Sequence, residues 1–132
     1  MRRTVLTFRI PKNEWWTQNR RGAWQAKYRR TSAVKRRAYI LARNQLRGVP
    51  RPSHWPVRVI ARISPLTHGR FDPENAAPMV KAILDAITLT GWWPDDNSTY
   101  VTGPDYRRGD PIGSGRYAIT IIIQEAEQEN QP

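Results

Sequence analysis

The sequence predicts a mixed α/β (α+β) fold, a single small domain in which one mixed β-sheet carries two main helices. Two segments, Val34–Leu46 and Val80–Ile87, repeat apolar residues at helical spacing, and four shorter segments show the patterns of strands. Their order along the 132 residues is β-α-β-α-β-β. A chain of this length supports one core, so we expect residues 1–124 to form the domain and residues 125–132 to be a polar, disordered tail.

The first half of the chain is predicted to contain a strand, a loop, a helix and a second strand. Val5–Ile10 alternates weakly, as a half-buried strand does. Residues 11–30 have no clean period and are predicted to be an ordered surface loop, whose tryptophans pack against the sheet or, alternatively, stack on bases. Thr31 can cap a helix that Gly48 ends, and the alternation of Val57–Ile63 predicts the second strand.

The second half is predicted to contain a helix and two strands. The helix should begin at Ala76 or Pro78, because proline suits a first helical turn, and should end at Gly91. Two strands then follow, Ser98–Tyr106 and Arg116–Ile123, and the second contains a run of isoleucines typical of a buried strand.

Composition excludes several classes of protein. The absence of cysteine excludes a disulfide-stapled fold and a zinc–thiolate site. No apolar run approaches the roughly 20 residues of a membrane span, and the apolar stretch after the basic N-terminus is too short for a signal peptide. We therefore expect a soluble, cytoplasmic protein.

The charge is strongly uneven. Residues 1–70 hold 18 Lys and Arg against one acid, whereas residues 71–132 hold four Lys and Arg against ten acids, within a net charge of +11. A basic half favours a polyanionic partner through counterion release, although arginine-rich composition can also reflect a GC-rich genome. The basic residues that we expect to contact DNA are Arg20, Arg21, Lys27, Arg36, Arg43 and Arg70.

Four acids flank the second helix. Asp72 and Glu74 precede it, and Asp95 and Asp96 follow it. If the chain after the helix turns back, as a β-α-β unit allows, these carboxylates make an oxygen-rich site suited to Mg²⁺ and phosphodiester chemistry. A purely structural role is the alternative. Residues 72–75 would form a turn and cap the helix, and residues 95–97 would form a solvent-exposed turn.

Lys81, on the second helix, also has two interpretations. Its positive charge could stabilise the pentacovalent phosphate of a transition state. A purely structural ion pair with Asp85, four residues further along the helix, is the competing explanation.

The segment around this helix resembles the metal-binding core of RusA-type Holliday junction resolvases. That family carries Asp-x-Asp-Asn, then an inward lysine before Asp-Ala-Leu, then Gly-aromatic-x-x-Asp-Asp. The matching stretches here are Asp72-Pro73-Glu74-Asn75, Lys81–Ile87 and Gly91–Asp96. Two departures are the glutamate in place of the second aspartate and a loop before Lys81 that is about three residues longer.

The resemblance implies a magnesium-dependent endodeoxyribonuclease in which Mn²⁺ can substitute for Mg²⁺. It implies a homodimer that resolves branched DNA, the four-way junction of recombination and repair, by paired symmetric nicks, and a two-fold dimer suits a two-fold substrate. Asp72, Glu74 and Asp96 fall at the metal-binding positions, Asp95 is a further candidate ligand, and Lys81 falls at the catalytic lysine.

Two other functions remain open at this stage. A basic DNA- or RNA-binding module could keep the same fold without the chemistry, although the intact acid set argues against it. A structural protein of a phage or mobile element could use the basic half to pack DNA. Cleavage of a four-way junction with magnesium would separate the nuclease from both.

Overall fold

The computed structural model describes residues 2–126, which form the mixed α/β fold expected from the sequence, in the same element order. The strands are Arg2–Ile10 (β1), Val57–Ser64 (β2), Val101–Arg108 (β3) and Tyr117–Glu125 (β4). The helices are Trp24–Gln45 (α1) and Ala77–Thr90 (α2), and a short 3-10 helix, Pro73–Ala76, leads into α2. Within the described range, no helix is long and apolar enough to cross a membrane.

The four strands form one mixed sheet in the order β1-β4-β2-β3. Strand β4 pairs antiparallel with both β1 and β2, whereas β2 and β3 are parallel. Parallel neighbours require a crossover, and here helix α2 provides it. The chain therefore contains the β-α-β unit that the sequence left as a possibility.

The two helices cover one face of the sheet, and the core lies between these layers. Along β1 the buried side chains are Leu6, Phe8 and Ile10, which alternate with exposed residues. Such alternation is expected of a sheet with one solvated face. The uncovered face carries exposed arginines, including Arg9 on β1 and Arg62 on β2.

Helix α1 begins at Trp24, so the prediction of a loop through residues 24–30 and of a helix start at Thr31 is wrong. Thr31 does not cap the helix, because its Oγ1 donates to the carbonyl oxygen of Lys27 at 2.9 Å within it. The first turns also show no buried stripe, since the side chains of Trp24 and Tyr28 are 72% and 65% exposed. A helix whose aromatic residues face solvent lacks the periodicity used to predict it.

Helix α2 begins and ends where the sequence predicts. Pro78 lies in its first turn, where the missing N–H costs no hydrogen bond. Gly91 ends it with φ of 80°, a left-handed conformation that glycine adopts without steric penalty. Seven side chains of this helix are buried and attach it to the core: Met79, Val80, Ala82, Ile83, Leu84, Ala86 and Ile87.

Strand β4 extends to Glu125, so the first residue of the predicted tail belongs to the sheet. The Glu125 carboxylate is buried and accepts hydrogen bonds from the backbone N–H groups of Ser53 and His54 at 2.7 and 3.0 Å. Burial raises its pKa, but the hydrogen bonds from Ser53 and His54 outweigh burial and lower the pKa to about 2. Ala126, the second residue of the predicted tail, is exposed and outside the strand, and residues 127–132 lie outside the described residues.

Candidate active site and the adjoining basic cleft

The side chain of Lys81 joins helix α2 to the segment that follows it. Its Nζ donates hydrogen bonds to Asp85 Oδ1 at 2.7 Å and to Asp96 Oδ2 at 3.2 Å. The hydrogen bond to Asp85 raises the pKa of Lys81, burial opposes the rise, and the hydrogen bond to Asp96 adds to it. The ammonium group is therefore held in its charged form between two carboxylates.

The chain turns back along α2 after Gly91, and this reversal brings Asp96 beside Lys81. The returning segment is fixed by its aromatic residues. The side chain of Trp93 is 1% exposed, and its Nε1 donates to Thr88 Oγ1 at 2.7 Å. An acid that follows the helix is thus brought beside a residue in the helix, which sequence spacing alone could not establish.

Asp95 shapes the turn that carries Asp96. Its Oδ1 accepts from the backbone N–H of Asp96 at 2.7 Å, and its Oδ2 accepts from Asn97 Nδ2 at 3.0 Å. Aspartate commonly stabilises turns through such local hydrogen bonds. Both carboxylate oxygens of Asp95 therefore serve the turn in this arrangement.

Asp72 and Glu74 lie just before α2. Asp72 directly precedes the short 3-10 helix, and Glu74 lies within it. Asp72 caps this helix, since its Oδ1 accepts from the backbone N–H of Glu74 at 3.1 Å. The N-terminal segment braces the same turn, because the backbone N–H of Gln18 donates to the carbonyl of Asn75 at 3.0 Å. Burial raises the pKa of Tyr106, and the nearby negative charge of Glu74 raises it further. Both acids are solvent-exposed.

The acid side chains do not form a ready metal site. Among residues 2–126, no three His, Asp or Glu side chains lie in an arrangement that could hold a metal ion. Asp72 is engaged at its helix cap and Asp96 with Lys81. The oxygen donors have the right chemistry for magnesium, but Asp72, Glu74 and Asp96 would have to converge from their present positions to bind it.

A cleft between the two helices leads to Lys81. Lys27, Tyr28 and Lys35 from α1 line it opposite Lys81 and Asp85 of α2, around a volume of about 340 Å³. Three of these five side chains are cationic and one is anionic. The structure therefore places Lys27, one of the predicted DNA contacts, in the same cleft as the predicted catalytic lysine.

A second hollow continues this cleft along the helices. It has a volume of about 520 Å³ and shares Tyr28 and Lys35 with the first, and it is also lined by Arg36, Tyr39 and Leu89. Arg36 is thus the second predicted DNA contact on this side of the molecule.

The other predicted DNA contacts are spread more widely. Arg20 and Arg70 line a separate hollow of about 450 Å³ with Phe71, next to the turn that contains Asp72. The Arg20 guanidinium also lies over the Trp16 ring, 4.5 Å from its centre. The remaining two, Arg21 and Arg43, are exposed, and Arg43 lies over the ring of Tyr39, 5.7 Å from its centre.

Among the aromatic and charged residues that line the cleft, Tyr28 and Lys35 are the two that the sequence analysis did not select. A signal was available, since Lys27, Thr31 and Lys35 follow one another at intervals of four residues, which places them on one face of a helix. The spacing does not stand out when the helix is expected to begin at Thr31, since α1 in fact begins seven residues earlier, at Trp24.

Neither a scan against protein-family models nor a search of curated proteins found a match to this chain. The likeness to RusA-type resolvases rests on the residues from Asp72 to Asp96. Function is therefore argued from the chemistry and geometry of those residues and of the cleft beside them.

Proposed function

We propose that this chain is a structure-selective endodeoxyribonuclease that, as a homodimer, cuts four-way DNA junctions by paired nicks in recombination and repair. The observation that carries the proposal is the contact between Lys81 Nζ and Asp96 Oδ2 at 3.2 Å. These two residues come from separate parts of the family-like segment, and a site that acts on one phosphate needs them close together.

The distribution of charge supports a nucleic-acid substrate. Lys27 and Lys35 line the cleft that leads to Lys81, and Arg36 lines the hollow that continues it. Among the described residues, Asp85 is the one acid that lines either. Lysine and arginine side chains bind phosphates and release counterions, which supplies affinity without sequence preference. A phosphodiester backbone bound in the cleft would thus pass beside the Lys81 ammonium.

Lys81 has a clear chemical role in such a reaction. A phosphoryl oxygen gains negative charge as the nucleophile attacks, and a fixed ammonium stabilises that charge. Asp85 and Asp96 orient the ammonium and keep it protonated, as the raised pKa of Lys81 indicates. The proposal includes a magnesium ion, which manganese can replace. Asp72, Glu74 and Asp96 would bind it through their carboxylate oxygens, once these residues converge.

One observation favours a second function, a DNA- or RNA-binding module without catalysis. The positive charge of Lys81 is already balanced by two carboxylates, those of Asp85 and Asp96. The basic cleft alone would suffice for binding.

A cleavage assay distinguishes the two functions. A synthetic four-way junction and a linear duplex of the same sequence are each incubated with the protein in Mg²⁺, Mn²⁺ or EDTA. A nuclease of the proposed kind nicks the junction with either metal, spares the duplex, and is inactive in EDTA. Equal cleavage of both substrates would contradict junction selectivity, and binding without cleavage in either metal would favour the non-catalytic module.

A further inference from the structure

The surface between α1 and α2 combines cations with exposed apolar side chains. The two hollows described above share the wall formed by Tyr28, Ser32 and Lys35, so they form one continuous groove. Along α2 the groove runs from Lys81 to Leu89, which corresponds to roughly 12 Å at 1.5 Å per residue. We refer to it as the interhelical groove.

Tyr28 stands at the middle of the interhelical groove with its ring exposed. The residue is 65% exposed although it lies on a well-formed helix. Two lysines line the groove with it. Lys27 precedes Tyr28 in the chain, and Lys35 lies two helical turns after Lys27 on the same face of the helix. An exposed aromatic ring flanked by cations is the combination with which proteins bind unpaired nucleic acid, by stacking bases and pairing with phosphates.

We propose that the interhelical groove binds unpaired nucleotides of DNA, with a base stacked on Tyr28 and phosphates held by Lys27, Lys35 and Arg36. This inference rests on the proposed function and deepens it, because the groove ends at Lys81. Strands that separate from the duplex at a branch point can enter the groove, whereas a fully stacked duplex keeps its bases inside. The groove thereby gives the enzyme a physical means of distinguishing branched from linear DNA.

The main competing occupant is a second copy of this chain. Tyr28, Ile40 and Leu89 are 65%, 61% and 60% exposed and could be buried in a dimer. A two-fold contact, however, places the same patch of both subunits face to face. It would bring the lysines and the arginine of two grooves together with one acid, Asp85, from each copy, and like charges in contact oppose association. Charge complementarity therefore favours the polyanion.

The test measures DNA binding under conditions in which the protein cannot cleave. The affinity of the full chain for a fluorescein-labelled oligothymidine and for a blunt duplex is measured by anisotropy in EDTA at constant ionic strength. Tyr28→Ala should weaken binding of the oligothymidine roughly ten-fold or more while changing duplex binding less than about two-fold. Tyr28→Phe, which keeps the ring, should bind both ligands as the wild type does.

The charge is tested with a matched pair of variants. Lys35→Ala should weaken oligothymidine binding more than Arg62→Ala, which removes the same charge from the uncovered sheet face. Equal losses in the two variants would contradict a specific groove, as would wild-type oligothymidine affinity in Tyr28→Ala. Conversion of a wild-type dimer to a monomer by Tyr28→Ala, measured by sedimentation, would assign the groove to a second copy and overturn the proposal.

The result does not depend on catalysis. A protein that binds oligothymidine through Tyr28 but never cuts a junction supports the groove and contradicts the nuclease. A protein that cuts junctions but binds oligothymidine equally well without the Tyr28 ring supports the nuclease and contradicts the groove.

Discussion

Replacement of Lys81 by alanine separates a structural from a chemical role for this residue. The ion pair with Asp85 spans one helical turn at 2.7 Å, and exposed pairs of this kind contribute about 0.2–0.5 kcal/mol. The contact with Asp96 at 3.2 Å contributes no more than about 1 kcal/mol, because the Lys81 side chain is 65% exposed and water screens the ion pair. The free energy of unfolding should therefore fall by no more than about 1.5 kcal/mol, a shift of a few degrees in melting temperature.

The expected effect on cleavage is larger. An ammonium about 4 Å from a phosphate oxygen stabilises it by roughly 4 kcal/mol at an effective dielectric constant near 20. The two carboxylates that contact Lys81 offset part of this, so we expect a loss of about 2.7 kcal/mol of transition-state stabilisation. That loss corresponds to a rate reduced about a hundred-fold. Lys81→Arg should recover only part of the rate, since the guanidinium is bulkier and spreads its charge.

The assay is single-turnover cleavage of a labelled four-way junction, combined with thermal melting and junction binding. Arg58→Ala is the matched control, because Arg58 and Asp105 form an exposed ion pair of the same 2.7 Å length on the sheet. The control should cleave at the wild-type rate, and Lys81→Ala should bind the junction but cut it about a hundred times more slowly. Cleavage by Lys81→Ala within about three-fold of wild type, particularly with early melting, would show that Lys81 belongs to the scaffold.

Three further predictions concern the acids, the basic residues and the buried carboxylate. Asp72→Asn and Asp96→Asn should each abolish junction cleavage while binding survives or tightens, because repulsion of phosphate falls; wild-type rates in either variant would refute the site. Junction affinity should fall by several decades over a few-fold rise in salt if about 6–10 phosphates are neutralised, and the Arg36→Ala/Arg43→Ala double variant should lower both affinity and salt slope. An affinity independent of salt would contradict this. Glu125 has a folded-state pKa of about 2, below that of the unfolded chain, so its stabilisation is complete above pH about 4.5 and is lost as the pH falls toward 2. After allowance for partial solvent screening, Glu125→Gln should cost about 1–2 kcal/mol at pH 7 and little at pH 2, measured by urea unfolding; an equal cost at both pH values would refute the role of its ionised form.

The sequence predicted those parts of the fold that depend on local signals. Helix α2 has the predicted ends because Pro78 and Gly91 fix them through backbone geometry, and neither signal depends on distant residues. The pairing of β2 with β3 in parallel depends on how α2 packs, which no local pattern contains. The start of α1 was missed because Tyr28 and its neighbours face solvent, and amphipathic periodicity only reveals helices that bury a stripe.

The candidate site was predictable in its residue types and in the ion pair of Lys81 with Asp85, but not in its tertiary contacts. The ion pair of Lys81 with Asp85, one of its two interpretations, is present, and the ammonium also reaches Asp96. Its role in stabilising a phosphate stays a prediction. The second contact requires the chain reversal at Gly91 and the buried anchor of Trp93, which are tertiary features. The convergence of Asp72 with Asp96 stays a prediction, because metal and DNA both influence where exposed carboxylates lie.

Mapping the nicks in a single-turnover reaction tests the proposed nuclease most directly. Each strand of a four-way junction is labelled in turn, and wild-type protein and Asp72→Asn are compared in Mg²⁺ and in EDTA. The predicted result is one nick in each of two opposite strands, at symmetric positions, with wild-type protein and Mg²⁺ only. Tight junction binding by wild-type protein with no nick in any strand, in Mg²⁺ or Mn²⁺, would contradict it.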